Sequence, residues 1–278
     1  MTTDPTHASR HRSVAVAIIL AAGTVVTAVA VVTVMLVGSH GLRTAPADVE
    51  ASSAGSGSAT TRAAPLTDGY RVWARNDDGG PVRWDPCRPI DLVVDDRGAP
   101  DGFDADLAVA IETLRAASGL QLRVIGPTDE RPSGDRAAHQ PGRYGDRWAP
   151  VLIAWAEPHE AGLPLDDFDR GVAMPVAVGA EGDRSYVTGQ VVFNRDRTDL
   201  APGVGDRATA WGATILHELV HLVGLGHTDD PDELMYTYPG AGPVELGPGD
   251  RAGLQEVGAD TGCRPPPRPG PVATTGRS

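Results

Sequence analysis

His217-Glu-Leu-Val-His-Leu-Val-Gly-Leu-Gly-His227, continued by Thr-Asp-Asp-Pro-Asp-Glu-Leu-Met235, is the stretch on which the reading of this chain turns. His217 and His221 are four residues apart, so on a helix they point the same way, one turn apart. Two neutral imidazoles at that spacing can grip one zinc ion at about 2.0–2.1 Å each. His227 would leave that face if the helix continued. Gly224 and Gly226 supply the break, because glycine takes the left-handed conformation that ends a helix and turns the chain back. His227 then swings in as a third ligand. The fourth tetrahedral position stays open for water, which separates a catalytic zinc from a structural one. Glu218, beside the first ligand, is placed to take a proton from that water.

A bare H-E-x-x-H arises by accident, and a helical histidine is more often a packed core residue than a ligand. Here His217, Glu218, His221, Gly224 and His227 agree together in a chain with few histidines, and Met235 follows eight residues after the third. A structural zinc site usually recruits thiolates and closes all four positions, yet no cysteine lies nearby. The catalytic reading is the one expected.

HELVHLVGLGH with its downstream methionine resembles the metzincin signature, H-E-x-x-H-x-x-G-x-x-H with a Met-turn. His227-Thr-Asp-Asp-Pro-Asp-Glu-Leu-Met-Tyr236 is similar to the matrixin form of that signature. The stretches VRWDPCRPI and YVTGQVVFN look like actinobacterial matrixin-type peptidases. The resemblance implies an α/β (α+β) catalytic domain: a twisted mixed sheet, two long helices, an active-site helix and a Met-turn. It implies His217, His221 and His227 as zinc ligands, Glu218 as general base and Met235 as the apolar floor. Asp230 matches a position that orients a ligand or the turn from behind. Asp166, Asp167 and Asp169 could help hold a Ca²⁺, as matrixin loops do, although a carboxylate cluster in a loop is more often simply hydrated. The chain departs from the family in having Thr237 where a proline tends to follow the turn methionine.

The surrounding chain gives the motif its setting. The formal net charge is −13, and no basic stripe is present, which argues against nucleic acid as a partner. Every cationic side chain is arginine. Residues 14–37 carry no charge and would form a helix of roughly 36 Å, enough to cross a hydrocarbon core of about 30 Å. Arg10 and Arg12 precede them, so the positive-inside bias keeps residues 1–13 cytoplasmic and exports the rest. The expectation is a single-pass membrane protein with its catalytic domain extracellular; the alternative is secretion after cleavage near Ala47. Residues 38–68 are small and polar, as a flexible linker is. The peptidase domain is expected over 69–263, as a monomer, with 264–278 a Pro-rich disordered tail.

Within the domain, strands are expected at 70–74, 90–94, 120–125 and 151–155, with a helix from about Asp104 to Ala117 closed by Gly119. Val172–Val178 contains Pro175, which lacks a backbone donor and favours an edge strand. Either 172–178 or 186–193 is a candidate edge for an added substrate strand. The last long helix is expected over about 206–225 and reads as buried. His139 and His159 read as solvated loop residues. Cys87 and Cys263, the only cysteines, most simply form one disulfide in an exported chain. The alternative is that Cys87 blocks the zinc as a thiolate.

The function these residues point to is zinc-dependent hydrolysis of polypeptide substrates. Two readings of other kinds share the motif: a surface-tethered zinc-bearing binding module without turnover, and a hydrolase of peptidoglycan stem peptides. The intact Glu218 argues against the first, and no recognisable wall-binding repeat supports the second.

Overall fold

A computed structural model of the protein describes residues 69–205, 209–237 and 242–270. The apolar run 14–37, the linker 38–68 and residues 271–278 lie outside the described residues. Among the described residues no helix is long and apolar enough to cross a membrane.

In chain order the elements are β1 (Arg71–Val72), β2 (Ile90–Val94), α1 (Phe103–Ser118), β3 (Leu122–Pro127), the short α2 (Pro141–Tyr144), β4 (Val151–Ala156), β5 (Gly171–Ala180), β6 (Asp183–Asn194), α3 (Trp211–Val223), β7 (Leu225–Gly226) and α4 (Pro248–Val257). Five strands form one mixed sheet in the order β3-β2-β4-β6-β5, and β1 pairs with β7 separately. The pairs β2–β3, β2–β4 and β4–β6 are parallel, whereas β5 runs antiparallel to β6. This is the mixed α/β domain expected from the sequence.

Burial explains the order. Every residue of β4 (VLIAWA) is buried, as a parallel strand covered on both faces requires. On one face Trp155 and Phe193 meet Phe103 of α1 and Trp211 of α3, with ring centroids 4.6–6.0 Å apart. Edge-to-face packing of this kind locks the helices to the sheet beyond simple area burial. On the other face Leu163, Leu165 and Met174 pack with Val192 and Ala156.

β5 is the sheet's edge strand and β6 lies inside it, so of the two candidate edges only 172–178 qualifies. Pro175 sits opposite Gly189, where its missing donor costs least.

The strand after α1 and the active-site helix both begin later than expected. The strand after α1 begins at Leu122 rather than Leu120, because Gly119 and Leu120 are used in closing the helix: Gly119 takes a left-handed conformation and Leu120 N–H donates to Ser118 Oγ. The active-site helix starts at Trp211, not near Asp206. Thr209 and Ala210 are instead held extended against Ala201, whose N–H donates to Thr209 O while Trp211 N–H donates to Ala201 O. The helix α4 joins the two long ones, with Pro248 in its first turn and Asp250 reaching back to the amide of Gly247, which are ordinary start signals.

The Pro-rich tail is described as far as Gly270, and it lies against the domain. Arg264 pairs with Asp183 and Asp78, and the Trp148 indole N–H donates to Pro267 O.

Candidate metal centre

α3 is buried at every position from Trp211 to Val223, so the polar side chains it carries are held in an apolar setting. His217 and His221 are 8% and 6% exposed, and their rings meet edge to face at 4.6 Å. Gly224 ends the helix at φ 118 with its N–H on His221 O, a conformation that a side chain would strain. The chain then pairs with β1, Leu225 facing Val72 and Gly226 facing Arg71, and delivers His227 to the same place.

The three imidazoles converge. His227 Nε2 lies 3.2 Å from His217 Nε2 and 3.1 Å from His221 Nε2. His217 Nδ1 is 3.0 Å from Leu234 O, and His221 Nδ1 is 2.7 Å from Leu225 O. A carbonyl oxygen only accepts, so both Nδ1 atoms carry the proton and both Nε2 atoms present a lone pair toward His227. Nitrogens bound to one tetrahedral zinc at about 2.0–2.1 Å stand about 3.3–3.4 Å apart. The donor set, its tautomers and its spacing therefore fit a zinc ion. His217 and His221 are buried while His227 is exposed, so the centre opens to solvent on the side of the third histidine.

Glu218 is 6% exposed and packs against the first residue of β5. A Cβ built on Gly171 would stand 3.0 Å from Glu218 Cγ and 3.0 Å from Phe193 Cδ1. The strand passes this side chain so closely that an added methyl would have to push Glu218 or Phe193 aside by a few tenths of an ångström.

The turn beneath the histidines is held by a buried carboxylate pair that the sequence reading did not single out. Asp250, fully buried, accepts from Leu234 N (2.6 Å), Gly247 N (2.9 Å) and Met235 N (3.3 Å). Glu233 accepts from Gly249 N and Asp250 N at 2.8 and 2.7 Å. Leu234 links the systems, since its N–H goes to Asp250 while its carbonyl takes the His217 proton. Burial pushes the Asp250 carboxyl up to about 6 against the pull of its backbone donors, and the neighbouring Glu233 adds to the rise. Met235 is 1% exposed, and its carbonyl accepts from Thr228 N. Asp230 accepts from Asp232 N within its own turn, so the tie to His217 runs through Asp250. The presence of Asp three residues into a helix opened by Gly-Pro was the available signal.

Trp73 was also missed. Its indole lies 5.0 Å from the His221 ring at 16° between planes, and the backbone N–H of Trp73 donates to Gly224 O at 2.8 Å. The segment after Gly69 thus braces both the second ligand and the turn that carries the third.

Other candidates resolve differently. Cys87 and Cys263 form a disulfide with Cα atoms 5.3 Å apart, so Cys87 has no thiolate to offer the histidines. Asp166, Asp167 and Asp169 do not converge into a cation site, because Asp169 Oδ2 is turned back to accept from Asp166 N; among the described residues the remaining metal-ligating group is Asp85 with the disulfide sulfurs. Calcium is thus not supported at this loop. Burial raises the Asp169 carboxyl above its usual range, and Asp166 adds to it. His159 is exposed beside Asp166, whereas His139 is half-buried against Trp148.

Residues 146–258, from just ahead of β4 through α4, match the sequence model of a peptidase family described as Matrixin. No curated protein matches the chain. The family match and the His217–His221–His227 cluster together support a matrixin-like, zinc-dependent metalloprotease domain.

Proposed function

We propose that the chain is a zinc-dependent endopeptidase in which His217, His221 and His227 hold the metal and Glu218 is the general base. The convergence of the imidazole nitrogens beside a buried glutamate carries this reading. Zinc bound by these imidazoles supplies Lewis acidity, bringing the pKa of water toward about 7 and polarising a carbonyl. Glu218 takes the proton of the attacking water and delivers it to the departing amine. Leu234 O and Leu225 O fix the tautomers and aim of His217 and His221, and the buried Met235 closes the floor behind them.

The substrate is an extended polypeptide. β5 is an edge strand whose first residue abuts Glu218, so a chain added along it passes the reacting centre while hydrogen-bonding through its main chain. The disulfide between Cys87 and Cys263 favours an oxidising compartment, consistent with export behind the apolar run 14–37, whether that run anchors the protein in the membrane or is removed near Ala47. The targets on this reading are extracellular or cell-envelope proteins.

Incubation with an unfolded protein tests the proposal. Wild type should cleave it, chelator should stop cleavage and added zinc should restore it. Glu218→Gln should retain zinc and lose cleavage; full activity in that variant would remove Glu218 from the role of base.

A further inference from the structure

Phe168 is 87% exposed. Single exposed apolar residues are common and carry no message alone. What distinguishes Phe168 is its mounting and its position. It sits in a tight turn in which Asp166 N–H donates to Asp169 Oδ2 (2.8 Å) and Asp169 N–H donates to Asp166 O (3.1 Å). Asn194 donates its side-chain amide to Asp169 O at 2.9 Å, and its backbone N–H to Arg170 O at 2.9 Å. Arg197, itself paired twice with Asp199, donates to Phe168 O at 3.0 Å. The turn's backbone is thus tied into the protein, and Phe168 projects into solvent beside the exposed Asp166 and Asp167. Holding an apolar group rigidly in water stabilises nothing in the free protein, whereas a preorganised platform lowers the ordering cost of whatever binds it.

Three residues after Phe168 comes Gly171, whose backbone lies against Glu218. Three residues of chain span at most about 10–11 Å, so the backbone of Phe168 stands within that distance of Gly171, only a few substrate residues from the reacting centre. We propose that Phe168 determines specificity: it receives an apolar side chain of the polypeptide substrate a few residues to one side of the bond cut. The inference rests on the peptidase reading and adds to it a substrate class, extended segments with a hydrophobic residue at a fixed distance from the cleavage point.

The test is a peptide series in which one leucine is moved through each position within five residues of a common cleavage site, the rest being serine or alanine. Wild type should prefer leucine at one position by about tenfold in kcat/KM, corresponding to about 1.4 kcal/mol. Phe168→Ser should collapse that ratio toward one, and Phe168→Leu should keep most of it. Equal melting temperatures would show that the variants fold. A preference that survives intact in Phe168→Ser, or no positional preference in wild type, would overturn the inference while leaving the peptidase reading standing. Failure of wild type to cleave any peptide of the series or an unfolded protein would count against the peptidase reading itself.

Discussion

Replacing Asp250 with alanine should destabilise the protein more in mild acid than at neutral pH, the reverse of an ordinary salt-bridged aspartate. The substitution orphans the buried N–H groups of Leu234, Met235 and Gly247. At about 1–3 kcal/mol each they sum to about 6 kcal/mol. Against this, the mutation removes a carboxylate whose pKa is raised from 3.8 to about 6. A folded-state pKa above the unfolded one means stability that is fully present below about 3.8 and lost as pH rises through about 6. The ionised group therefore costs about 3 kcal/mol at pH 7.5 but only about 1 kcal/mol at pH 4.5. The net loss in Asp250→Ala is then about 3 kcal/mol at pH 7.5 and about 5 kcal/mol at pH 4.5. Urea unfolding of both proteins at the two pH values, with chelator present, measures the difference. A loss that is equal at both, or larger at neutral pH, would refute the argument that burial dominates this carboxyl.

Other consequences follow from the same geometry. Gly171→Ala places a methyl against Glu218 and should lower kcat about tenfold or more with zinc content unchanged, as a displaced base would; equal loss of zinc would show that the ligands moved instead. Cys87→Ser with Cys263→Ser opens a loop of 176 residues and should cost at most about 5 kcal/mol on the loop-entropy account, read as a lower urea midpoint. Trp73→Ala removes the ring stacked on His221 and should weaken zinc binding about tenfold in a chelator competition; an unchanged affinity would make the stack incidental.

The metal cluster was legible in the sequence because its geometry is local. His217 and His221 follow from the helical repeat, and Gly224 adopts the left-handed turn that a glycine at that place suggests. The edge position of β5 was legible from Pro175, and the disulfide from there being only two cysteines in a chain expected to be exported. What escaped is tertiary. Thr209 and Ala210, expected inside the active-site helix, are taken by pairing with Ala201, which no local pattern announces. Asp250 reads as a surface helix-start residue until the fold buries it under Leu234 and Met235. Trp73 reads as a strand residue, and only the pairing of β1 with β7 brings it over His221. Asp166, Asp167 and Asp169 read as a hydrated loop cluster that could help hold a cation, and in the fold the Asp169 carboxylate is used within the turn that presents Phe168.

The most direct test of the central claim is the coordination of the metal itself. Zinc X-ray absorption on purified protein, with zinc per chain determined on the same sample, should find one zinc with three imidazole nitrogens and a light-atom fourth ligand, and His227→Ala should leave two imidazoles. Sulfur in the shell, or a zinc environment that His227→Ala does not alter, would contradict it.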